Sequence, residues 1–410
     1  MYLYKNLSEI LTLENAFKKG GRNLLPEDMS ILKNASIAFD LDRIHWIGEL
    51  TDLPQNLKIE KEFDLEGHSL TPEIVDSHTH LVFGGDRANE YMMRLNGADY
   101  QQIAEAGGGI LNTMQATRSS SHKELFEMGK KRVESYVAIG IRTIEVKSGY
   151  GLDTESEYKL SSVISSLRDY FKPLGIRIIR TFMAAHAVPK EFSSSNEYLD
   201  QIVLPLMIKL NEEKMIDFVD IFHEEGYFTE NDTRKLFEKA RALGLSLKIH
   251  ADEFGDNGGA ELALEYGATS CDHLLKTNRE TIKKFSTSDT VATILPGTSM
   301  FLGKDFANIS DFLSSGAIVS FASDYNPGSC HSYNLINTIS TAAPRLNINS
   351  AQLWAGITLN AAKSLGLKSQ GSLLPSHRPR FSLFKVPSVA HITYHWGENF
   401  SCELPVITNA

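Results

Sequence analysis

The sequence predicts an α/β protein whose main body is a (β/α)8 TIM-like barrel, joined to a small β domain formed from both termini. Eight short apolar runs alternate with charged segments of helical periodicity in the middle of the chain. Such an alternation over roughly 250 residues is typical of this barrel. Histidines and carboxylates follow several of the runs, whereas the two ends of the chain carry shorter strand signals separated by turn residues.

The predicted barrel strands are apolar and rich in β-branched residues, as expected for a parallel sheet that is covered on both faces. Segments of helical character, such as Glu230–Leu243 and Gly258–Tyr266, lie between them. The predicted strands are Ile74–Asp76, Ile141–Val146, Ile176–Met183, Phe218–Phe222, Leu245–Ile249, Ala268–Cys271, Thr290–Leu295 and Ile318–Ala322.

The two termini predict one composite domain. Neither terminal segment alone could bury a core well, so we expect residues 1–68 and 368–410 to form one β-sandwich domain beside a barrel of residues 69–367. The alternative is that each segment decorates the barrel independently. The strand signals are Ser36–Phe39, Arg43–Ile47 and Lys58–Phe63 in the first segment, and Arg380–Lys385 and Ile392–Tyr394 in the second.

Charge and cysteine content exclude several classes of protein. The net charge of −10 argues against a general affinity for nucleic acid or anionic membranes. The three cysteines, Cys271, Cys330 and Cys402, are widely spaced and form neither a disulfide framework nor a Cys-x-x-Cys metal motif. The N-terminal segment lacks the apolar core of a signal peptide, and no apolar run is long enough to span a bilayer. We therefore expect a cytoplasmic protein.

The residues that follow the predicted strands indicate a functional site. In barrels of this kind the chemistry is carried at the carboxyl ends of the strands. A single histidine at such a position is usually a core or capping residue, but five of the thirteen histidines lie there, together with Asp324 after the eighth strand. These histidines are His78, His80, His186, His250 and His273.

The spacing of these residues predicts a metal site. His78 and His80 are two apart on a strand, so their side chains leave the same face and can share one ion. His250 and Asp324 would complete a set of three nitrogens and one oxygen, which suits zinc or ferrous iron. Such an ion would lower the pKa of a bound water to about 7 and polarise the carbonyl that the water attacks.

Proton transfer has several candidate residues. Asp324 can take the proton of the water while it remains a ligand, and His273 is placed to orient that water or to stabilise the oxyanion. Glu253 and Asp252 both lie just after the fifth strand, where a carboxyl group can deliver a proton to a leaving nitrogen. Periodicity alone does not decide between these two.

Several stretches resemble the amidohydrolase superfamily, in its mononuclear-metal branch, and within it the imidazolonepropionase family. The resemblance covers most of the chain. It implies hydrolysis of the cyclic amide of 4-imidazolone-5-propanoate to N-formimidoyl-L-glutamate in histidine degradation, and it suggests a homodimer. The stretches are DSHTHLVFGGDR, EAGGGI, VKSGYGLDTESE, TFMAAHAVP, HADEFGDNGGAELA, LPGTSMFL and SDYNPGS.

The resemblance also implies roles for single residues. One zinc or iron ion per chain would be held by His78, His80, His250 and Asp324. Glu253, rather than Asp252, would be the acid–base residue and would contact the substrate. The other residues implied to bind the substrate are Arg87, Tyr150 and His186, and those implied to hold the product are Tyr150, Asn326, Gly328 and Ser329.

The number of metal ions follows from the end of the fourth strand. Related barrels that hold two ions bridge them with a carboxylated lysine at this place, but here the strand is followed by His223 and two glutamates. We therefore predict a single ion. Lys147 follows the second strand, the wrong place for such a bridge, and we expect a structural role for it.

The chemistry of the implied binding residues agrees with a substrate that carries a propanoate. Arg87 offers two adjacent N–H donors for a carboxylate. Arg94 is an alternative candidate for this role, and another possibility is that Arg87 is a solvated surface residue. The segment Asn326-Pro327-Gly328 predicts a turn, where glycine lets backbone amides approach a ligand. The run Gly107–Gly109 lacks phosphate-binding spacing and predicts a tight turn near the barrel mouth.

Three positions depart from the family pattern. Glu73 stands where the family usually has glycine, and His223 stands where cysteine is common. Arg380-Phe381 replaces the Ala-Asp-Leu that often follows a Gly-Ser turn near the C-terminus. None of these departures removes a predicted ligand.

Other functions remain as alternatives. A deaminase of a heterocyclic base such as guanine or cytosine would use the same ligands but would have no use for a carboxylate-binding Arg87. A barrel without catalytic activity that serves only in protein assembly would not need metal ligands, whereas all four predicted ligands are present. A cysteine hydrolase using Cys330 and His331 is disfavoured, because adjacent residues usually point apart.

Overall fold

The computed structural model describes residues 1–98, 102 and 108–406. Its strands, numbered in chain order, belong to two sheets. They are β1 (Tyr2–Leu11), β2 (Ile31–Phe39), β3 (Ile44–Glu49), β4 (Lys61–Asp64), β5 (Ser69–Pro72), β6 (Ile74–Asp76), β7 (Ile141–Lys147), β8 (Arg177–Ala185), β9 (Phe218–His223), β10 (Ser246–Ala251), β11 (Ser270–His273), β12 (Val291–Ile294), β13 (Val319–Phe321), β14 (Phe381–Phe384) and β15 (Ser401–Cys402).

Strands β6 to β13 form the predicted barrel. They pair in parallel in the order of the chain, and all eight predicted runs overlap them, with ends that differ by no more than two residues. The ends of β6 and β13 are joined by two hydrogen bonds, from Asp324 N to His78 O (3.0 Å) and from His80 N to Tyr325 O (2.9 Å). The fold class is confirmed, and the backbone of three predicted metal ligands closes the barrel.

Helices between the strands cover the barrel. The helix Thr154–Phe171 begins where the side chain of Asp153 accepts a hydrogen bond from Ser156 N, which satisfies a free amide of the first turn. Its buried Leu160, Ile164 and Leu167 lie on one face at the spacing expected of an amphipathic helix. None of the helices in the described ranges combines the length and the apolar character that crossing a bilayer requires.

The remaining α-helices include those predicted at residues 230–243 and 258–266, which run from Glu230 to Ala242 and from Gly259 to Tyr266. The others within the described ranges are Glu14–Lys18, Ala88–Leu95, Ile110–Ser119, His122–Ala138, Ser195–Tyr198, Leu204–Glu212, Arg279–Lys284, Pro296–Leu302, Ile309–Ser315, Leu335–Leu346, Ser350–Ile357, Leu359–Lys363 and Val389–Tyr394.

Both termini contribute to the second sheet. Strand β1 pairs with β2 on one side and with β4 and β5 on the other, while β14 pairs with β5 and β15 pairs with β14. The composite β domain is therefore confirmed, and the alternative of two independent decorations is wrong. Hydrogen bonds connect all seven strands into one sheet. The domain boundaries at residues 68 and 367 stay predictions, and so does the two-layered sandwich. Strand β5, which directly precedes β6 in the chain, belongs to the sheet of the termini.

Four terminal elements differ from the prediction. Strands β1, β5 and β15 were not predicted, and the strand expected at Ile392–Tyr394 is wrong, because these residues end the helix Val389–Tyr394. Three apolar residues cannot distinguish a strand from a helix. Here Val389 and Ile392 are both buried, and their spacing of three places them on one helical face.

Two of the three departures from the family pattern contact each other. Glu73 Oε2 lies 2.6 Å from Arg380 Nε, and the side chains of both residues are nearly fully buried. Thr143 Oγ1 donates a hydrogen bond to Glu73, and Gln370 Nε2 donates another at 3.3 Å. The acid in place of glycine and the arginine of the segment that replaces Ala-Asp-Leu are therefore paired, at the amino end of β6.

Candidate metal centre

The four predicted ligands converge at the carboxyl end of the barrel. One nitrogen from each of His78, His80 and His250 lies within 4.8 Å of the others, and the Nε2 atoms of His250 and His80 are 3.3 Å apart. Asp324 Oδ1 lies 3.4 Å from His78 Nε2 and 3.7 Å from His80 Nε2. All four residues are buried. Side chains from β10 and from the segments after β6 and β13 thus face one point.

The cluster has the properties that a divalent metal requires. His78 Nε2 is buried and finds no hydrogen-bond partner within the part of the chain that the structure describes, which costs free energy unless a ligand supplies the partner. Burial lowers the pKa of His78 and His80 well below the usual value and lowers the pKa of His250 to about 3. These imidazoles are therefore neutral, which is the form that binds a metal ion. The donor set fits a divalent ion.

Two buried carboxylates hold the ligand rings in orientation. His78 Nδ1 lies 2.7 Å from Asp272 Oδ2, and His250 Nδ1 lies 3.1 Å from Asp220 Oδ1. A carboxylate at Nδ1 favours the proton there and leaves the lone pair of Nε2 for an ion. Neither carboxylate was assigned a role from the sequence. For Asp220 the signal was a charged residue inside the otherwise apolar run Phe218–Phe222, whereas Asp272, between Cys271 and His273, gave no comparable signal.

A buried ionic network supports these carboxylates. Lys147 Nζ lies 2.6 Å from Asp220 Oδ2 and 3.0 Å from Glu145 Oε2. Lys248 Nζ lies 2.9 Å from Glu145 Oε2 and 3.6 Å from Asp272 Oδ2. All five side chains are fully buried. Although burial opposes it, the neighbouring carboxylates raise the pKa of Lys147. The structural role that we expect for Lys147 stays a prediction, and these contacts support it.

Asp324 is held by a contact that was not predicted. Thr298 Oγ1 donates a hydrogen bond of 2.6 Å to its Oδ2, which leaves Oδ1 facing His78 and His80. Burial raises the pKa of the Asp324 carboxyl to about 6. The φ of 51° at Asp324 is uncommon for a residue with a side chain, and strained backbone of this kind clusters at functional sites.

The structure separates the two candidate acids after β10. Glu253 lines the pocket, and its Oε2 lies 3.6 Å from His273 Nδ1. Asp252 is fully buried, and its Oδ2 accepts a hydrogen bond of 2.7 Å from Thr277 Oγ1. His273 also lines the pocket, and neither of its ring nitrogens has a hydrogen-bond partner in residues 1–98, 102 and 108–406. This geometry favours Glu253 over Asp252 as the group that meets a substrate.

The cluster forms the floor of a cavity of about 430 Å³. Tyr150 and His186 stand beside it, and the His186 ring stacks on His80 with centroids 5.1 Å apart. His186 Nδ1 lies 3.0 Å from Gly149 O, which directs Nε2 away from that backbone. The residues implied to bind substrate or product line this cavity without exception: Arg87, Tyr150, His186, Glu253, Asn326, Gly328 and Ser329.

The loop after β13 is built around Asn326. Its Oδ1 accepts hydrogen bonds from the backbone amides of Gly328 (2.8 Å) and Ser329 (2.7 Å), which is the turn that the sequence predicts. Its Nδ2 donates to Ser329 Oγ at 2.8 Å. A Cβ at position 328 would overlap the guanidinium of Arg87, so a larger residue here would displace that guanidinium.

Two further predictions concern the pocket surroundings. Of the glycine run, Gly107 lies outside the described residues, and Gly109, with φ of 87°, directly precedes the helix Ile110–Ser119. His223 does not reach the cluster: its Nδ1 lies 2.9 Å from Thr233 Oγ1 and its Nε2 lies 3.0 Å from Asn257 O. This departure from the family pattern therefore serves local packing.

Comparison of the sequence with known proteins identifies relatives over nearly the whole chain. A family model described as "Amidohydrolase family" matches residues 69–400. An imidazolonepropionase of Clostridium tetani is 37% identical over 402 residues, which are 97% of this chain and 94% of the relative. An imidazolonepropionase of Bacillus mycoides is 34% identical over 397 residues, which are 96% of this chain and 92% of the relative.

Solved structures with little sequence identity have the same fold. Atrazine chlorohydrolase from Arthrobacter aurescens TC1, complexed with zinc, is 15% identical with a TM-score of 0.73, over 98% of this chain and 93% of that chain. An adenosine deaminase from Xanthomonas campestris with bound zinc is 13% identical with a TM-score of 0.68, over 98% and 90% of the two chains. The family is decided by the more similar sequences: the chain belongs to the amidohydrolase family and, within it, to the imidazolonepropionases.

Proposed function

We propose that this protein hydrolyses the cyclic amide of 4-imidazolone-5-propanoate to N-formimidoyl-L-glutamate, a step of histidine degradation. The observation that carries the proposal is the convergence of three neutral imidazoles and one carboxylate on the floor of a pocket that has arginines at its mouth. The names of the relatives, imidazolonepropionase in each case, support the substrate.

We propose that His78, His80, His250 and Asp324 hold one divalent ion, zinc or iron, which when bound activates a water and polarises the carbonyl under attack. We assign to the Asp324 carboxylate, whose Oδ1 faces His78 and His80, the acceptance of a proton from this water as a general base. The hydroxyl group of the water adds to the ring carbonyl carbon.

Breakdown of the ring requires a proton on the leaving nitrogen. Glu253 lies in the pocket beside His273, so we assign to its carboxyl group the delivery of this proton as the C–N bond breaks. His273, whose ring nitrogens have no other partner, is proposed to donate a hydrogen bond to the developing oxyanion. The products are a new carboxylate and an amidine nitrogen that carries one more proton.

The walls and the mouth of the pocket would bind the rest of the molecule. Tyr150 and His186 stand next to the ring of His80, where they would contact the imidazolone. Arg87 would interact with the propanoate, a function that a deaminase of a neutral base does not need. Tyr150, Asn326, Gly328 and Ser329, which line the same pocket, are proposed to hold the opened product.

Three further properties remain proposals that separate experiments test. The count of one ion per chain and its identity as zinc or iron need metal analysis of the purified protein. Assembly as a homodimer needs light scattering in solution. Localisation in the cytoplasm needs fractionation of the producing cell.

The proposed reaction is tested by adding 4-imidazolone-5-propanoate to the purified, metal-loaded protein. We expect loss of the imidazolone absorbance, an equal amount of N-formimidoyl-L-glutamate and no ammonia. In the Arg87→Ala variant, KM for this substrate should rise sharply. Absence of turnover by metal-loaded protein, or ammonia release from guanine or cytosine, would reject the proposal.

A further inference from the structure

One of the two faces of the Arg87 guanidinium that can bind a carboxylate already pairs with a carboxylate of this chain. Its Nε and Nη2 lie 2.8 and 2.6 Å from the same oxygen of Glu90, and both side chains are largely buried. The other oxygen of Glu90 accepts a hydrogen bond of 3.0 Å from Gly109 N. Arg87 therefore has its Nη1, which packs against Gly328, and the second N–H of Nη2 left to offer to a ligand.

A second guanidinium lines the same pocket. Arg94 follows Arg87 by two turns of the helix Ala88–Leu95, and its Nη2 donates a hydrogen bond of 2.8 Å to Gly328 O. Its Nη1 is buried and has no hydrogen-bond partner among the described residues. A buried charged donor without an acceptor is strongly unfavourable, so this atom indicates an acceptor that arrives with the ligand.

The local charge points to an anion. Arg87 and Arg94 together carry two positive charges, and Glu90 neutralises one of them. Burial lowers the pKa of Arg94 most, the neighbouring Arg87 lowers it further, and Glu90 opposes both. A ligand with one negative charge would balance this part of the pocket, and a carboxylate has two oxygens that can accept from two separate donors.

We propose that Arg94 is a second carboxylate-binding residue, and that the propanoate of the substrate is held between Arg94 Nη1 and the remaining donors of Arg87 rather than by Arg87 alone. The identity of the ligand rests on the proposed function, but the anion subsite does not. Gly328 contacts both guanidinium groups, so the loop after β13 sets the position of the two donors.

The test measures binding without turnover. The probe is 3-(imidazol-4-yl)propanoate, which has the propanoate but no ring carbonyl, and the neutral comparison is 4-propylimidazole. Calorimetry on the metal-loaded protein should show that Arg94→Gln weakens binding of the carboxylate probe by about 10- to 100-fold. The affinity for the neutral 4-propylimidazole should be unchanged. Arg94→Lys should recover part of the loss, because it keeps the charge but not the two donors.

A matched variant controls for general electrostatics. Lys123→Gln removes one positive charge from an exposed position that does not line the pocket, and it should bind both probes like the unchanged protein. An equal loss for the two probes in Arg94→Gln would show that Arg94 only positions the loop and would overturn the proposal, as would no loss for either.

The outcome is independent of the proposed reaction. If the protein turns over 4-imidazolone-5-propanoate while Arg94→Gln keeps its KM and its probe affinity, the subsite is wrong and the reaction stands. If turnover is absent while Arg94→Gln selectively loses the carboxylate probe, the reaction is wrong and the subsite stands.

Discussion

Strand β6 has a buried cluster of charged and polar groups at each of its ends, and the two clusters differ in what they leave unpaired. At the amino end, Glu73 is paired with Arg380 and accepts hydrogen bonds from Thr143 and Gln370. At the carboxyl end, His78 and His80 keep ring nitrogens that have no hydrogen-bond partner. The first arrangement is complete within the protein, whereas the second needs a ligand.

The presence or absence of a partner within the protein distinguishes groups that stabilise the fold from groups that bind a ligand or take part in the reaction. Burial alone does not distinguish the clusters, because Glu73 and His78 are both almost fully buried. The unpaired nitrogens distinguish them, since a buried donor or acceptor without a partner costs free energy that an ion or substrate can recover. Variants at the two ends should therefore affect different properties of the protein.

The largest effect is expected from His250→Ala. The variant removes one ligand of the proposed ion, so we expect loss of bound metal and a fall in kcat/KM of about 10³-fold or more, because the ion contributes several kcal/mol of stabilisation to the transition state. Metal analysis and the imidazolone assay measure both quantities. Full activity together with full metal content would contradict the assignment.

Glu253→Gln tests the acid at the same end. We expect kcat to fall by about 10²- to 10⁴-fold with metal content unchanged, because Glu253 lines the pocket without joining the histidine cluster. The matched control is Asp252→Asn, whose side chain bonds to Thr277 and should retain most of kcat. A larger loss in Asp252→Asn than in Glu253→Gln would reverse the assignment.

Glu73→Gly tests the amino end. Removing one partner of a buried ion pair leaves an uncompensated charge on Arg380, so we expect the free energy of unfolding to fall by about 3–5 kcal/mol while kcat of the folded enzyme is unchanged. Chemical denaturation and the assay measure the two effects.

The double variant Glu73→Gly with Arg380→Ala supplies the control for this pair. It removes both charges, so its loss of stability should be smaller than the sum of the two single losses. Strict additivity would show that the two departures from the family pattern are not coupled.

The smallest effect is a pH dependence of stability in the metal-free protein. Burial lowers the pKa of His250 to about 3, so its ring stays neutral in the folded chain, whereas in the unfolded chain it takes up a proton below about pH 6.5. Stability from this residue is thus present above pH 6.5 and is lost as the pH falls toward 3, by about 1.4 kcal/mol per pH unit.

Thermal unfolding of metal-free protein between pH 7.5 and 4.5 measures this slope. His250→Gln has no such group and should show a shallower dependence. Equal slopes for the two proteins would mean that the imidazole is not buried in its neutral form.

The barrel was predictable because its strands are continuous apolar runs between helical segments. Strand β1 was not, because its alternation is interrupted: the pairing with β2 shifts between Tyr4 and Leu7, and Asn6 between them has φ of 60°. The buried Glu9, which accepts a hydrogen bond from Val389 N, adds a charge where the pattern requires an apolar residue. Long-range contacts, not local propensity, determine this strand.

The site was predictable to the extent that its residues follow strands. His78, His80, His250 and Asp324 lie where the barrel places them, and the structure brings them together. The partners Asp220 and Asp272 could not be assigned from the sequence, because their role depends on which side chains of neighbouring strands they face. Arg87 and Glu90 are three residues apart, a spacing at which side chains can pair on a helix. Which donors this pairing leaves for a ligand can be seen only in the structure.

The central claim is that four side chains at the carboxyl end of the barrel act through one bound ion. The most direct measurement is a metal titration of chelated protein, in which the rate of 4-imidazolone-5-propanoate hydrolysis is followed against the ions added per chain. The account predicts negligible activity without metal and a linear rise that ends at one ion per chain in the unchanged protein, with no rise in His250→Ala. Undiminished hydrolysis by metal-free protein would contradict it.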